Sequence, residues 1–192
     1  HLKNKKKIHV IPNCYNNSIF YNIIKKENLR KKYNYSIFDK IILCGGYDFI
    51  KNKYKGYDFA YRLIKELDKK YENIKVIFLG SNEGIKFFEF LKPSNIKSYQ
   101  FLKQNRLNEI YNLSDIFIFP SAIESFGLQA LEVMATGTPV LCFKGHGTEE
   151  IVKHKVNGYC AKKMNFKDLI KGANFILEKK LIFDENITKK KY

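Results

Sequence analysis

The 192-residue sequence has no tryptophan, four cysteines and four prolines, and only three of its 35 basic residues, Arg30, Arg62 and Arg106, are arginine. Each scarcity removes a class of function. None of Cys14, Cys44, Cys142 and Cys160 stands in a Cys-x-x-Cys pair, which argues against a zinc ribbon or a thioredoxin-type redox centre. Three of them lie in or beside apolar runs, so reduced buried thiols in a reducing compartment are expected. His1, His9, His146 and His154 show no metal-ligand spacing, and no metal site is expected. Base-edge readers rely on arginine forks, so the arginine shortage argues against sequence-specific nucleic-acid binding. No apolar run approaches the roughly 18 residues of a membrane helix. The basic start, Lys3 to Lys7, leads into only a short apolar stretch, unlike a secretory signal.

What is abundant is positive charge, +16 at pH 7, alongside 45% hydrophobic residues. Lysine, asparagine, isoleucine, tyrosine and phenylalanine share AT-rich codons, so genomic base bias accounts for much of this composition. The field it produces still favours anionic ligands such as nucleotide diphosphates, or an anionic membrane surface. The length fits one domain with a sizeable core. The first residue is His1, and the chain is expected to be a piece of a longer protein.

The hydrophobic pattern alternates between strand and helix. Strands are expected over 7–11, 40–44, 74–79, 98–102, 115–119 and 139–143. Helices are expected over 18–33, around Phe59, Leu63, Ile64 and Leu67, around Ile85, Phe88 and Leu91, over 106–113, after Gly127, over 149–153 and from Asn165 to Lys179. Phe87, Phe88 and Phe90 read as packing residues. Asn157-Gly158 reads as a turn, and the charged tail from about 184 as frayed. Five or so strand–helix alternations give an α/β fold: a doubly wound parallel sheet.

The densest signal runs from Phe119-Pro120-Ser121 to Gly137-Thr138-Pro139. A strand ends, a turn carries Glu124, a helix opens at Gly127, and Glu132 follows eight positions after Glu124. In parallel sheets, ligands sit where chains leave the carboxyl ends of strands. Two carboxylates there serve as an acid/base pair or as acceptors for sugar hydroxyls. Gly127 permits close backbone approach, and the helix start directs free N–H groups at an anion. The glycine-flanked His146 should face the same cleft.

The segment IFPSAIESFGLQALEVMATGTPVL resembles the signature of the retaining glycosyltransferases of GT-B architecture, the glycosyltransferase family 4 group: Glu, seven residues, Glu, then an ALEAMA-G-PV type sequence. Other pieces agree in order: Ile11-Pro12-Asn13, Ile41 to Gly46, Lys55-Gly56-Tyr57-Asp58, Phe78-Leu79-Gly80, Ser114-Asp115-Ile116-Phe117, Gly147 with Glu150-Ile151-Val152, and Asn157-Gly158. The resemblance is to the C-terminal, donor-binding half. It implies that residues 1–192 form one nucleotide-sugar-binding domain with a core of about 8–180, a Rossmann-like half of the GT-B fold. The acceptor-binding N-terminal domain would lie outside this chain.

The implied catalytic residues are Glu124, contacting the donor sugar, and Lys55, neutralising the departing diphosphate in place of a metal ion. The implied donor-binding set is Gly45, Gly46, Lys51, Ser125, Phe126, Gly127, Leu128 and Glu132, the last on the ribose hydroxyls. Base selection would rest on backbone near residues 100 to 105. Many family members carry arginine where Gly46 stands; Lys51 or Lys53 is the nearest replacement, without the planar fork. The implied reaction is retaining sugar transfer from a nucleotide-sugar such as UDP- or GDP-sugar, without cofactor or metal, in glycan or envelope polysaccharide synthesis. The implied setting is cytoplasmic, with peripheral contact to an anionic membrane at the cytoplasmic face. A non-catalytic nucleotide-sugar-binding module is the alternative.

Overall fold

A computed structural model describes residues 9, 11–23, 25–46, 48–179 and 181. It contains helix α1 (Lys26–Lys32), strand β1 (Lys40–Gly45), α2 (Tyr57–Lys70), β2 (Ile74–Leu79), β3 (Ile96–Tyr99), α3 (Gln104–Leu113), β4 (Ile116–Phe119), α4 (Leu128–Ala135), β5 (Val140–Phe143), α5 (Thr148–Ile151), β6 (Gly158–Ala161) and α6 (Phe166–Lys179). The six strands form one sheet in the order β3-β2-β1-β4-β5-β6, every pair parallel. The fold is therefore the expected doubly wound α/β type.

The strands are short and apolar because both faces of the sheet are covered. Alternate side chains enter opposite layers. Ile41, Leu43, Phe117 and Phe119 pack beneath α3 and α4, whereas Ile42, Cys44, Ile116 and Ile118 pack beneath α2 and α6. Cys44, Cys142 and Cys160 are buried free thiols, as expected, and Cys14 is exposed. Strand order reverses between β1 and β4, which pair through Ile42 with Ile116 and Leu43 with Phe117. The loops leaving these two strands diverge to opposite sides and open a crevice between them.

At the amino ends of the same strands, Arg30 ties the sheet together. Its Nη2 donates to both oxygens of Asp115 at 2.7 and 2.8 Å, and its Nη1 donates to the carbonyls of Ser36, Ile37 and Asp39. Asp115 Oδ2 also accepts the Ile41 N–H at 2.8 Å. One guanidinium thus joins α1, the loop into β1 and the start of β4.

Several local expectations change. Helix α1 covers only the second half of 18–33. Asn16 bonds Ser18 through its side chain, and Tyr21 and Ile23 are held by Asn108 and Asn112 instead of by helical bonds. The expected helix near 85–91 is a 3-10 turn over Asn82–Phe88, where Gly84 lies against the Phe78 ring. Residues after Asn157 do not simply turn: β6 begins at Gly158 and pairs with β5 along its length. The last helix starts where Asn165 predicts, its Oδ1 accepting the Asp168 N–H at 3.0 Å. Of the strand expected over 7–11 only residues 9 and 11 are described, and neither belongs to a strand; the tail from 184 lies outside the described residues. Among the described residues no helix is long and apolar enough to cross a membrane.

Replacing Arg30 by methionine should cost about 3 kcal/mol, the lower end for a broken buried pair because Asp115 stays one-third exposed. Replacing Lys32, whose pair with Glu109 is 58% exposed on the lysine side, should cost under about 1 kcal/mol. Urea unfolding of both variants checks the order; equal losses would remove Arg30 from its proposed place.

Candidate functional site

The crevice is built from the exits of β1 and β4. After β1 the chain forms a 3-10 turn over Lys53–Lys55, whose N-cap Asn52 accepts the Tyr54 N–H at 3.0 Å. Gly56 follows with φ 73°, and a Cβ there would sit 1.9 Å from the Pro120 carbonyl oxygen. Only glycine lets this turn lie directly on the exit of β4. The Ala122 N–H donates to the Tyr54 carbonyl at 2.7 Å and locks the two exits together. In consequence Lys55 Nζ reaches Glu124 Oε2 at 3.0 Å, with the side chains 31% and 14% exposed.

The turn from 124 to 129 then crosses the crevice. The Glu124 carbonyl accepts the Gly147 N–H at 3.0 Å. Gly127, at φ 91°, is the N-cap of α4 and supplies no side-chain cap. The first-turn N–H groups of α4 have no intrahelical acceptors, and the positive end of the helix is directed at the crevice.

This turn separates two hollows. On the β1 side lies a cleft of about 400 Å³ lined by Gly46, Lys51, Tyr99, Phe101, Tyr111 and Gln129, among others. Phe101 is 90% exposed with φ 54°, so its ring stands on the rim. On the other side lies an open hollow of about 590 Å³ bordered by Glu124, Ser125, His146, Gly147 and Glu149. His146 Nε2 is buried without a hydrogen-bond partner among the described residues. Burial, and then Lys163, hold this imidazole below its usual pKa, against the opposing pull of Glu124 and Glu149.

Glu124 and Glu132 bond to different partners. Glu124 pairs with Lys55, whereas Glu132 Oε2 accepts the Tyr111 hydroxyl at 3.4 Å. Burial pushes the Glu132 carboxyl above the usual glutamate range, and the Tyr111 hydrogen bond opposes that rise. Of the remaining candidates, Gly46 and Lys51 line the cleft and Ser125 borders the second hollow, while Leu128 opens α4. Gly45 is the last residue of β1, packed on Leu79, and Phe126 is half-buried against the core. Gln100, Phe101 and Leu102 also line the cleft, within the span read for base selection. Sequence reasoning did not find Tyr111 and Gln129. The available signal was a polar-tipped aromatic on the buried face of α3 and a glutamine lying between the two glutamates. Among the described residues no group of three or more His, Cys, Asp or Glu could hold a metal ion.

Comparison with known proteins agrees with the resemblance. The family model described as glycosyl transferases group 1 matches residues 22–192. An uncharacterized glycosyltransferase of Haemophilus influenzae is 30% identical over 159 residues, 81% of this chain and 43% of that protein. The chain spans about two-fifths of the length of the first curated relatives it matches. Among solved structures, the C-terminal domain of a glycosyl transferase group 1 family protein from Francisella tularensis superposes with TM-score 0.68 at 19% identity, covering 91% of each chain. An Anabaena protein in complex with UDP and glucose superposes with TM-score 0.68 at 17% identity, over 93% of this chain and 51% of that one. These structural likenesses establish the fold.

Gly56→Ala combines a left-handed backbone with a backbone clash and should destabilise by about 2–4 kcal/mol, read from the urea midpoint. A loss below 1 kcal/mol would mean the two exits are not in contact. A second expectation concerns Glu132. Its folded-state pKa is raised, so the folded chain binds the proton more tightly than the unfolded chain. Its contribution is present at low pH and is lost as pH rises through the window above the ordinary glutamate value. Glu132→Gln should therefore raise the Tm relative to the parent more at pH 7 than at pH 4. An equal difference at both values would contradict the burial of this carboxyl.

Proposed function

The chain belongs to the glycosyl transferases group 1 family, and from that premise we propose that it is the C-terminal, donor-binding domain of a retaining enzyme that moves a hexosyl-type sugar from a nucleotide-sugar to a glycan, lipid or other acceptor. The observation that carries this reading is the turn 124–129. It runs from the hollow beside Glu124 to the cleft at Gln129, with the start of α4 between them. That arrangement suits a ligand of three parts. The nucleoside lies in the cleft, with its ribose hydroxyls on Glu132. The diphosphate meets the α4 amides, Lys55 and Lys51. The sugar enters the hollow beside Glu124 and Ser125. The Anabaena relative was solved with UDP and glucose, which is consistent with a UDP-sugar donor here.

In the transfer, the bond between the sugar's anomeric carbon and the diphosphate breaks, and negative charge grows on the leaving oxygen. Lys55 and the α4 N–H groups lie where they stabilise that charge without a metal ion. The acceptor oxygen bonds to the anomeric carbon from the same face, and its proton passes to the departing diphosphate oxygen. In this proposal the acceptor is held by an N-terminal domain outside this chain, so the chain alone binds donor without sustained turnover. The enzyme works in the cytoplasm, in glycan or polysaccharide synthesis. Its positive charge draws it to the anionic cytoplasmic face of a membrane.

A thermal-shift panel of UDP-, GDP-, ADP- and CMP-sugars tests the reading. A donor at 100 times its Kd should add about 2.7 kcal/mol of stability, roughly 5–10 °C in Tm for a chain of this size. Glu132→Ala should weaken that donor about 10–100-fold, the worth of one or two charge-assisted hydrogen bonds. With an N-terminal half fused, Glu124→Ala should abolish sugar transfer. Failure of every nucleotide-sugar to shift the Tm would refute the proposal.

A further inference from the structure

We infer that Tyr111 is the positioning residue for Glu132: it holds the carboxylate in the orientation that receives the donor's ribose. This rests on the donor-binding reading given above.

The hydrogen-bond order around Tyr111 is directional. The Tyr111 hydroxyl lies 3.4 Å from Glu132 Oε2. A phenol has one proton to donate. An ionised carboxylate can only accept, so the proton points to Glu132. The neighbouring Gln129 turns its Oε1 to the end of β1, where a Cβ built on Gly46 would lie 2.6 Å away. The contact of Tyr111 with Glu132 therefore adjoins the cleft that Gly46, Tyr111 and Gln129 line.

Tyr111 is itself held tightly. It is 1% exposed, and its ring stacks on Phe20 with centroids 5.7 Å apart and planes 30° apart. Phe20 is 4% exposed and precedes a segment clamped to α3. Asn108 Oδ1 accepts the Tyr21 N–H, Asn112 Nδ2 donates to the Tyr21 carbonyl, and Asn112 Oδ1 accepts the Ile23 N–H. A phenol immobilised in this way cannot follow a wandering carboxylate. It holds one rotamer of Glu132 through Oε2, and in the donor-binding reading Oε1 accepts from the ligand hydroxyl. A carboxylate already in place loses less side-chain freedom when it binds. The ligand feature that senses this arrangement is the vicinal diol of a ribose; base and diphosphate do not depend on it.

The test uses isothermal titration of the full 192-residue chain with UDP, GDP, ADP and CDP, then with the 2′,3′-dideoxy analogue of whichever binds most tightly. Tyr111→Phe keeps the ring and its stack on Phe20. It should weaken the ribonucleotide about five- to tenfold and leave the dideoxy analogue within twofold. In a Glu132→Ala background, which has no acceptor for the Tyr111 hydroxyl, the same substitution should change ribonucleotide affinity by less than twofold, because the two residues act as one unit. Phe20→Leu, which loosens the ring stack that holds Tyr111, should reproduce the selective loss at about two- to threefold, and it carries the comparison alone if Tyr111→Phe does not fold. Equal losses for both nucleotides would make Tyr111 a packing residue only, and no loss for either would remove its hold on Glu132; each result overturns the inference while leaving nucleotide binding intact. Binding of none of the four nucleotides by the parent chain would overturn the donor reading and this inference with it.

Discussion

The pairing of β1 with β4 at the centre of the sheet is the constraint on which the site depends. Two residue pairs, Ile42 with Ile116 and Leu43 with Phe117, hold these strands parallel and side by side. Their connections must leave in opposite directions, because the helices that follow pack on opposite faces. A crevice at their carboxyl ends is therefore a consequence of topology. The sequence then fills its rim. Gly56 lets the first exit touch the second, and Gly127 starts a helix in the gap. Lys55 and Glu124, 69 positions apart in the chain, become neighbours at 3.0 Å.

Charge is distributed around that crevice in opposed pairs, not as a uniform positive field. Lys55 is matched by Glu124, and the His146 imidazole is pulled one way by Lys163 and the other by Glu124 and Glu149. Glu132 is set apart by burial, with a phenol as its hydrogen-bond partner. The two glutamates of the motif thus have unlike surroundings: one sits beside a cation at an open hollow, the other is half-buried beside the Tyr111 hydroxyl. Equivalent residues eight positions apart acquire different chemistry from the elements that pack on them.

Much of the fold was legible because a sheet covered on both faces needs strands that are apolar throughout. Ile41 to Cys44, Ile74 to Leu79, Ile116 to Phe119 and Val140 to Phe143 are such runs. Gly158–Ala161 escaped notice since it is four residues long and begins with glycine; its pairing to β5, not its own propensity, makes it a strand. The stretch 18–33 read as one helix because of its lysine- and isoleucine-rich pattern, yet its start is a turn closed on the Asn16 carbonyl, and the amides of Asn108 and Asn112, remote in sequence, hold Tyr21 and Ile23 out of the helix. The site divides in the same way. Glu124, Gly127 and Glu132 lie in one short segment and could be read directly, Gly46 followed from the strand end it closes, and Lys51 came only through the family resemblance. Tyr111 and Gln129 carried too weak a signal to be singled out, since the cleft they line exists only once α3 and α4 are packed on the sheet.

The ion pair of Arg30 and Asp115 sits at the amino ends of the strands, the pole farthest from the crevice. The anchoring ion pair and the crevice thereby lie at opposite poles of one sheet, joined by a few buried strand residues. Loops at the crevice pole can diverge in length and chemistry while the anchoring pole holds the register of the central strands. Such a division of labour lets one scaffold explore new ligands without first surrendering its fold.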